Sequence, residues 1–258
     1  MNQDIHEILR QTQRQRVGDG TIANFFDDFP SAQRKLILVL PQLGDFDSLE
    51  CIWWIQREID RIKSEGIAVR AIGLGDRQSG KYFCKFTGFN PDWMFIDEKG
   101  ELHRQLNLYA GLTTKFPLLS SGQNAWLNLM LMCAGIGSKG TLAEVFRGYR
   151  GDRHAPQLIA DDELIKAAPL PPLKGSFFKW AGGSGFQRPF ELATLRLRNM
   201  TEVLSNWNAY IPDASYMTQR GGTFLFEADN QLIYEHRDLG ILGFAANPSY
   251  PLSFLFQG

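Results

Sequence analysis

Lys35-Leu-Ile-Leu-Val-Leu-Pro-Gln-Leu-Gly-Asp-Phe-Asp-Ser-Leu-Glu-Cys51 carries a strand, a turn and the start of a helix in seventeen residues. Lys35 to Leu40 is a near-continuous apolar run, as a strand buried on both faces requires, and Pro41 is expected to stop it. Asp47 and Ser48 are good N-cap residues. Ile52, Ile55, Ile59 and Ile62 then lie along one helical stripe that ends near Gly66. Ile67 to Gly73 gives a second strand, and a strand, helix, strand order this compact predicts a right-handed parallel crossover. The chain therefore reads as α/β.

Upstream, Ile5, Ile8 and Leu9 recur at helical spacing, predicting an amphipathic helix over Gln3 to Arg16 that ends at Gly18 and Gly20. Downstream, Tyr82 to Phe86 read as helix, Trp93 to Ile96 as a short strand and Asp97 to Gly100 as a turn. Gly222 to Glu227 and Gln231 to His236 are strands joined by a turn at Ala228-Asp229-Asn230. Between Leu108 and Gln219 the pattern predicts helices over Asn124–Cys133, Leu142–Tyr149 and Phe190–Trp207. Leu170 to Lys174 and Ala181 to Gly185 separate them.

A formal net charge of −1 gives the chain no bulk electrostatic reason to bind nucleic acid or an anionic membrane. The longest apolar run, Ala125 to Ile136, is too short to span a bilayer and reads as a buried helix. Met1 to Gly18 lacks the apolar core of a secretory signal, so an intracellular location is expected. Three cysteines, Cys51, Cys84 and Cys133, supply neither a disulfide framework nor a four-thiolate zinc site.

Three stretches together resemble the peroxiredoxin-like branch of the alkyl hydroperoxide reductase and thiol-specific antioxidant (AhpC/TSA) superfamily. They are Leu36 to Glu58; Val69 to Gly75 with Tyr82 to Gly88 and Phe95 to Asp97; and Arg220 to Phe226 with Leu232 to Asp238. The resemblance implies a thioredoxin-like mixed sheet flanked by helices, with a long mostly helical insertion before the final β-hairpin. It divides the chain into an N-terminal helical extension (1–30), the first part of the thioredoxin-like domain (31–110), the insertion (111–218) and the hairpin with its tail (219–258). In that family the turn after the first strand carries two thiols. Aligning Gly44 with the family glycine puts Asp45 and Ser48 at those positions, so the C-x-x-C motif is missing.

Peroxide reduction needs a thiolate that neither a carboxylate nor an alcohol replaces. The resemblance thus implies a scaffold that has lost its peroxidase chemistry and serves as a protein-binding or assembly module. It is closest to versions found in oxygenic phototrophs, which implies a photosynthetic or thylakoid complex as partner and a cytoplasmic or peripheral thylakoid location. No cofactor is implied. Two readings of Asp45, Asp47 and Ser48 stay open: plain helix caps, or a fixed anion held by the donors that once held a thiolate. Arg220, leading into the penultimate strand, is expected to face Asp45.

The alternative is a thiol oxidoreductase or antioxidant enzyme using Cys51, which closes a Ser48-x-x-Cys51 pattern in the first helical turns. Glu50 beside it and the apolar Ile52 to Ile55 after it favour a buried inert thiol instead. Cys84 and Cys133 are expected in the core. Gly75 to Lys81 has the glycine and lysine spacing of a phosphate-binding loop, but Tyr82 replaces its Ser/Thr and Asp76 would repel phosphate. The four histidines are dispersed without zinc-binding spacing, so no metal site is expected. His236-Arg237-Asp238 reads as a salt-bridged strand end. The aromatic groups Phe25-Phe26 with Phe29, Phe177-Phe178 with Trp180, and Phe254 with Phe256 either cover the core or dock a partner.

Overall fold

The computed structural model describes residues 5–30, 33–182 and 189–256. In chain order its elements are α1 (Ile5–Gln11), β1 (Gln13–Arg16), β2 (Ile22–Asn24), β3 (Arg34–Gln42), α2 (Phe46–Arg57), α3 (Ile59–Ser64), β4 (Ile67–Leu74), α4 (Arg77–Thr87), β5 (Met94–Ile96) and α5 (Glu101–Gln105). There follow α6 (Ser121–Cys133), α7 (Thr141–Arg150), β6 (Leu164–Ile165), β7 (Leu173–Lys174), α8 (Ser176–Gly182), α9 (Pro189–Ser205), α10 (Trp207–Tyr210), β8 (Gly222–Phe226) and β9 (Leu232–Arg237). Seven strands form one mixed sheet in the order β2-β1-β5-β4-β3-β8-β9. β3, β4 and β5 are parallel, while β8 runs antiparallel to both β3 and β9. This is a thioredoxin-like arrangement.

The apolar run of β3 is central because both faces of the sheet are covered. Leu36, Leu38 and Leu40 face a core closed by α2, α4 and the insertion, whereas Ile37 and Val39 face one closed by Leu9, Phe25, Leu102, Phe95, Phe224 and Phe226. Each such side chain, fully buried, contributes roughly 1.5–3 kcal/mol of transfer free energy. Phe25 and Phe26 thus belong to the second core and its border, and Phe254 stacks on Tyr234 at 3.8 Å. Trp180 remains 85% exposed.

Several elements differ from the sequence-based expectation. The helix predicted to Arg16 stops at Gln11, and Gln13–Arg16 pairs instead with β5 and β2. Tertiary pairing overrides an apolar stripe that covers little more than one helical turn. β3 passes through Pro41, which stands at a register shift between Leu40 and Gln42, a place where a missing N–H is tolerated. The single isoleucine-striped helix is two helices that meet at Glu58. The small β6-β7 pair within the insertion has no counterpart in the reading above. Of the Ala181 to Gly185 separator, residues 183–185 lie outside the described residues.

Candidate functional site

The turn from β3 into α2 is capped by Asp45, not by Asp47 or Ser48. Asp45 Oδ1 accepts the backbone N–H of Asp47 at 2.9 Å, satisfying one of the free donors of the first helical turn. Ser48 is fully buried and its hydroxyl donates to the Gln42 carbonyl at 2.8 Å, pinning α2 to the end of β3. Asp47 is also fully buried, and its carboxylate accepts the backbone N–H groups of Leu242 and Gly243 at 2.9 and 3.4 Å.

Arg220 enters this mouth from the segment before β8. Its Nη2 donates to Asp45 Oδ2 at 2.5 Å, and its Nη1 donates to Asp47 Oδ2 at 3.3 Å. The Thr218 and Met217 carbonyls accept from Nε and Nη2 at 3.0 and 3.3 Å. This guanidinium is fully buried; burial opposes its charge, but Asp45 and Asp47 hold its pKa above the ordinary value. The chain can approach this closely because residue 221 is glycine: a Cβ there would lie 2.3 Å from the Val39 carbonyl oxygen. The Gly221 N–H donates to Asp238 Oδ2 at 3.1 Å.

Asp238 is therefore not a surface strand-end residue. It is buried at the same mouth, and burial pushes its pKa up to about 7, opposed by Arg220. Asp47 is raised well above the usual carboxylate range, by burial first and then by Asp45. One guanidinium thus faces three carboxylates, and burial shifts two of them, Asp47 and Asp238, toward their protonated forms while Arg220 opposes the shift. Asp45, Asp47, Ser48 and Arg220 meet here as expected, whereas Asp238 joins them only through the antiparallel pairing of β8 with β9, which brings it beside Gly221.

Cys51 and Cys84 are buried as expected, whereas Cys133 is not. Cys51 is buried, and its pKa is raised by burial and by Asp238, Asp47 and Glu50. Burial pushes Cys84 up to about 12. Cys133, expected in the core, is exposed at the end of α6. It lines a cavity of about 250 Å³ that begins at Gln42, Gly44, Asp45 and Phe46 and is walled by Trp126, Leu129, Met200, Val203, Trp207 and Ile211. The apolar periodicity of α6 hid this, because the helix packs mainly against α7 and the distant turn at Ala214–Tyr216, with Trp126 stacking on Trp207.

Asp76 caps α4 by accepting the Ser79 N–H at 2.7 Å, so that donor of the Gly75–Lys81 loop is occupied. Among the described residues there is no cluster of three His, Cys, Asp or Glu side chains that could hold a metal, and no helix is long and apolar enough to cross a membrane. A family model described as AhpC/TSA antioxidant enzyme matches residues 54–240, beginning within α2, past Asp45, Ser48 and Cys51. No curated protein matches the chain.

Proposed function

The chain belongs to the AhpC/TSA antioxidant enzyme family, and on that premise we propose that it keeps the scaffold without the thiol peroxidase chemistry, acting as a protein-binding or assembly module. The observation that carries this reading is the ion pair at the α2 mouth. Asp45, aligned with a family thiol, is held by Arg220 and the helix donors and offers hard oxygen where peroxide reduction needs a polarizable sulfur. Cys51 makes a poor substitute: it is buried and its nearest charges are carboxylates, so the thiolate is disfavoured twice.

A binding role draws support from the insertion. Leu118, Tyr149 and Trp180 are 96%, 75% and 85% exposed, and Phe146 on α7 is half-exposed. Large side chains left in water on one segment are the usual raw material of a protein interface. We place the partner among photosynthetic or thylakoid complexes on the strength of the sequence resemblance to phototroph versions.

The test is peroxide consumption by the purified protein with a thioredoxin or dithiothreitol as reductant, beside a Cys51→Ser variant. No turnover above the uncatalysed rate is expected for either. Turnover that disappears in Cys51→Ser would replace this reading with a thiol oxidoreductase. Co-sedimentation with washed thylakoids, retained when all three cysteines are serine, is the matching assay for the partner.

A further inference from the structure

At the opposite end of the sheet from the α2 mouth, the first half of β4 carries a cation without a counter-ion. Arg70 stands beside Ile37 of β3, and only 7% of it is exposed. Its guanidinium is fixed on two sides. Nη1 donates to the Phe25 carbonyl, and Cζ lies over the Phe29 ring, 4.1 Å from the centroid. Among the described residues, Nε and Nη2 donate to nothing and no carboxylate comes within ion-pair distance. Neither nitrogen is sealed from solvent. Burial pulls the pKa down to about 10, opposed by Asp28, so the group stays charged at neutral pH. A nearly buried charge with one hydrogen bond and no ion pair is costly, and an anion that engages both remaining nitrogens would offset that cost.

The unpaired edge has a defined geometry. Nε–H and Nη2–H point the same way from the guanidinium plane and form the fork that grips both oxygens of a carboxylate. In this chain the same two nitrogens of Arg10, Arg16, Arg147 and Arg196 hold Glu7, Asp19, Glu144 and Glu50 in that manner. No described side chain takes that place at Arg70.

Arg70 lines a cavity of about 230 Å³ with Asp28, Phe29, Ile59, Lys63 and Trp93. The volume lies below the range that drug-sized ligands occupy, so the occupant is small. Lys63 on α3, its Nζ 5.3 Å from the Trp93 ring centroid, adds a second positive charge, and Asp28 subtracts one. The balance matches a single negative charge. Asp28 and the apolar wall together disfavour a phosphate dianion.

We propose that this cavity binds a small aromatic carboxylate, its two oxygens on Arg70 Nε and Nη2 and its ring against the wall of Phe29, Ile59 and Trp93. The site lies away from the α2 mouth and does not depend on whether the protein reduces peroxides, so it stands apart from the proposed function.

Benzoate, benzamide and inorganic phosphate are the probes, titrated into the unmodified protein by calorimetry. Benzoate is expected to saturate a single site. Benzamide, which keeps the ring and lacks the charge, and phosphate, which lacks the ring, are each expected to bind at least about 10-fold more weakly. Lys63 locates the site: its acetylation, followed by peptide mass spectrometry, is expected to slow as benzoate saturates. Arg70→Lys keeps the charge without the fork, and in protein whose circular dichroism is unchanged it is expected to weaken benzoate about 10-fold. The probe comparison and the Lys63 measurement need no variant. Benzoate that fails to saturate, benzamide or phosphate that binds as tightly, Lys63 acetylation indifferent to benzoate, or a folded Arg70→Lys protein of unchanged affinity would each overturn the proposal.

Discussion

Replacing Arg220 by methionine would remove the one charge that reaches both Asp45 and Asp47 while leaving their carboxyls buried. Breaking a buried pair from one side typically costs about 3–5 kcal/mol, since the partner is left uncompensated. Asp45→Asn is gentler, because the amide oxygen can still cap α2 and Arg220 keeps Asp47 as its ion-pair partner, although the contact between residue 45 and the guanidinium is lost. Urea denaturation is expected to rank Arg220→Met as far more destabilising than Asp45→Asn, and a Met variant within about 1 kcal/mol of wild type would show that the pair does not anchor the mouth. Cysteine reactivity is a second prediction at this scale. Ellman's reagent at pH 8 is expected to modify one thiol in the folded chain, Cys133, with Cys51 and Cys84 appearing only in denaturant, since burial raises both. Rapid labelling of Cys51 in the folded chain would contradict its placement.

At the scale of elements, a charge network fastens the insertion to the thioredoxin-like core. Arg196 on α9 donates to both oxygens of Glu50 on α2 at 2.9 and 3.1 Å and to Glu144 on α7 at 2.8 Å, and Glu144 is held in turn by Arg147. Arg196→Met preserves most of the side-chain volume while removing the charge. Because the guanidinium is one-fifth exposed, a loss of roughly 2–3 kcal/mol is expected, below the full-burial range. Limited proteolysis should then cut first around α7 and α9, and an unchanged digestion pattern would refute the coupling. Nothing in the sequence points Glu50 at Arg196, 146 positions away. The contrast with β3, β4 and the β8-β9 hairpin is physical. Those elements are dictated by local apolar runs and turn residues, whereas Gln13–Arg16 becomes a strand only because β5 offers it an edge. The same limit governed the site: Asp45 and Arg220 were legible through the family resemblance, but Asp238 and the exposed Cys133 acquire meaning only when β8 and the insertion helices fold over the turn.

For the whole molecule, the buried carboxylates at the α2 mouth set how stability varies with pH. In the unfolded chain Asp238 loses its proton near the ordinary value of 3.8; in the folded chain burial raises that to about 7. Between those values the native state binds the extra proton, so stability falls as pH rises, by up to roughly 1.4 kcal/mol per pH unit for one proton. Asp47 is shifted in the same direction by burial and Asp45. Asp97 and Asp152 oppose them only in acid: both are lowered in the folded state despite their burial, by His103 and Arg14 for Asp97 and by Ser249, His154 and Arg147 for Asp152. Their stabilisation is complete above about pH 4 and is lost below it. Stability is therefore expected to peak in mildly acidic solution and to decline from pH 5 to pH 7.5. A chain of this size loses roughly 2–4 °C of Tm per kcal/mol, so thermal melts should separate the two conditions by several degrees. Asp238→Asn keeps an acceptor for the Gly221 N–H but cannot ionise, so it should flatten the decline without lowering stability at pH 5. A wild-type Tm that rises steadily from pH 5 to 7.5 would mean that Arg220 holds both aspartates ionised, and the three-carboxylate account of the mouth would then be wrong.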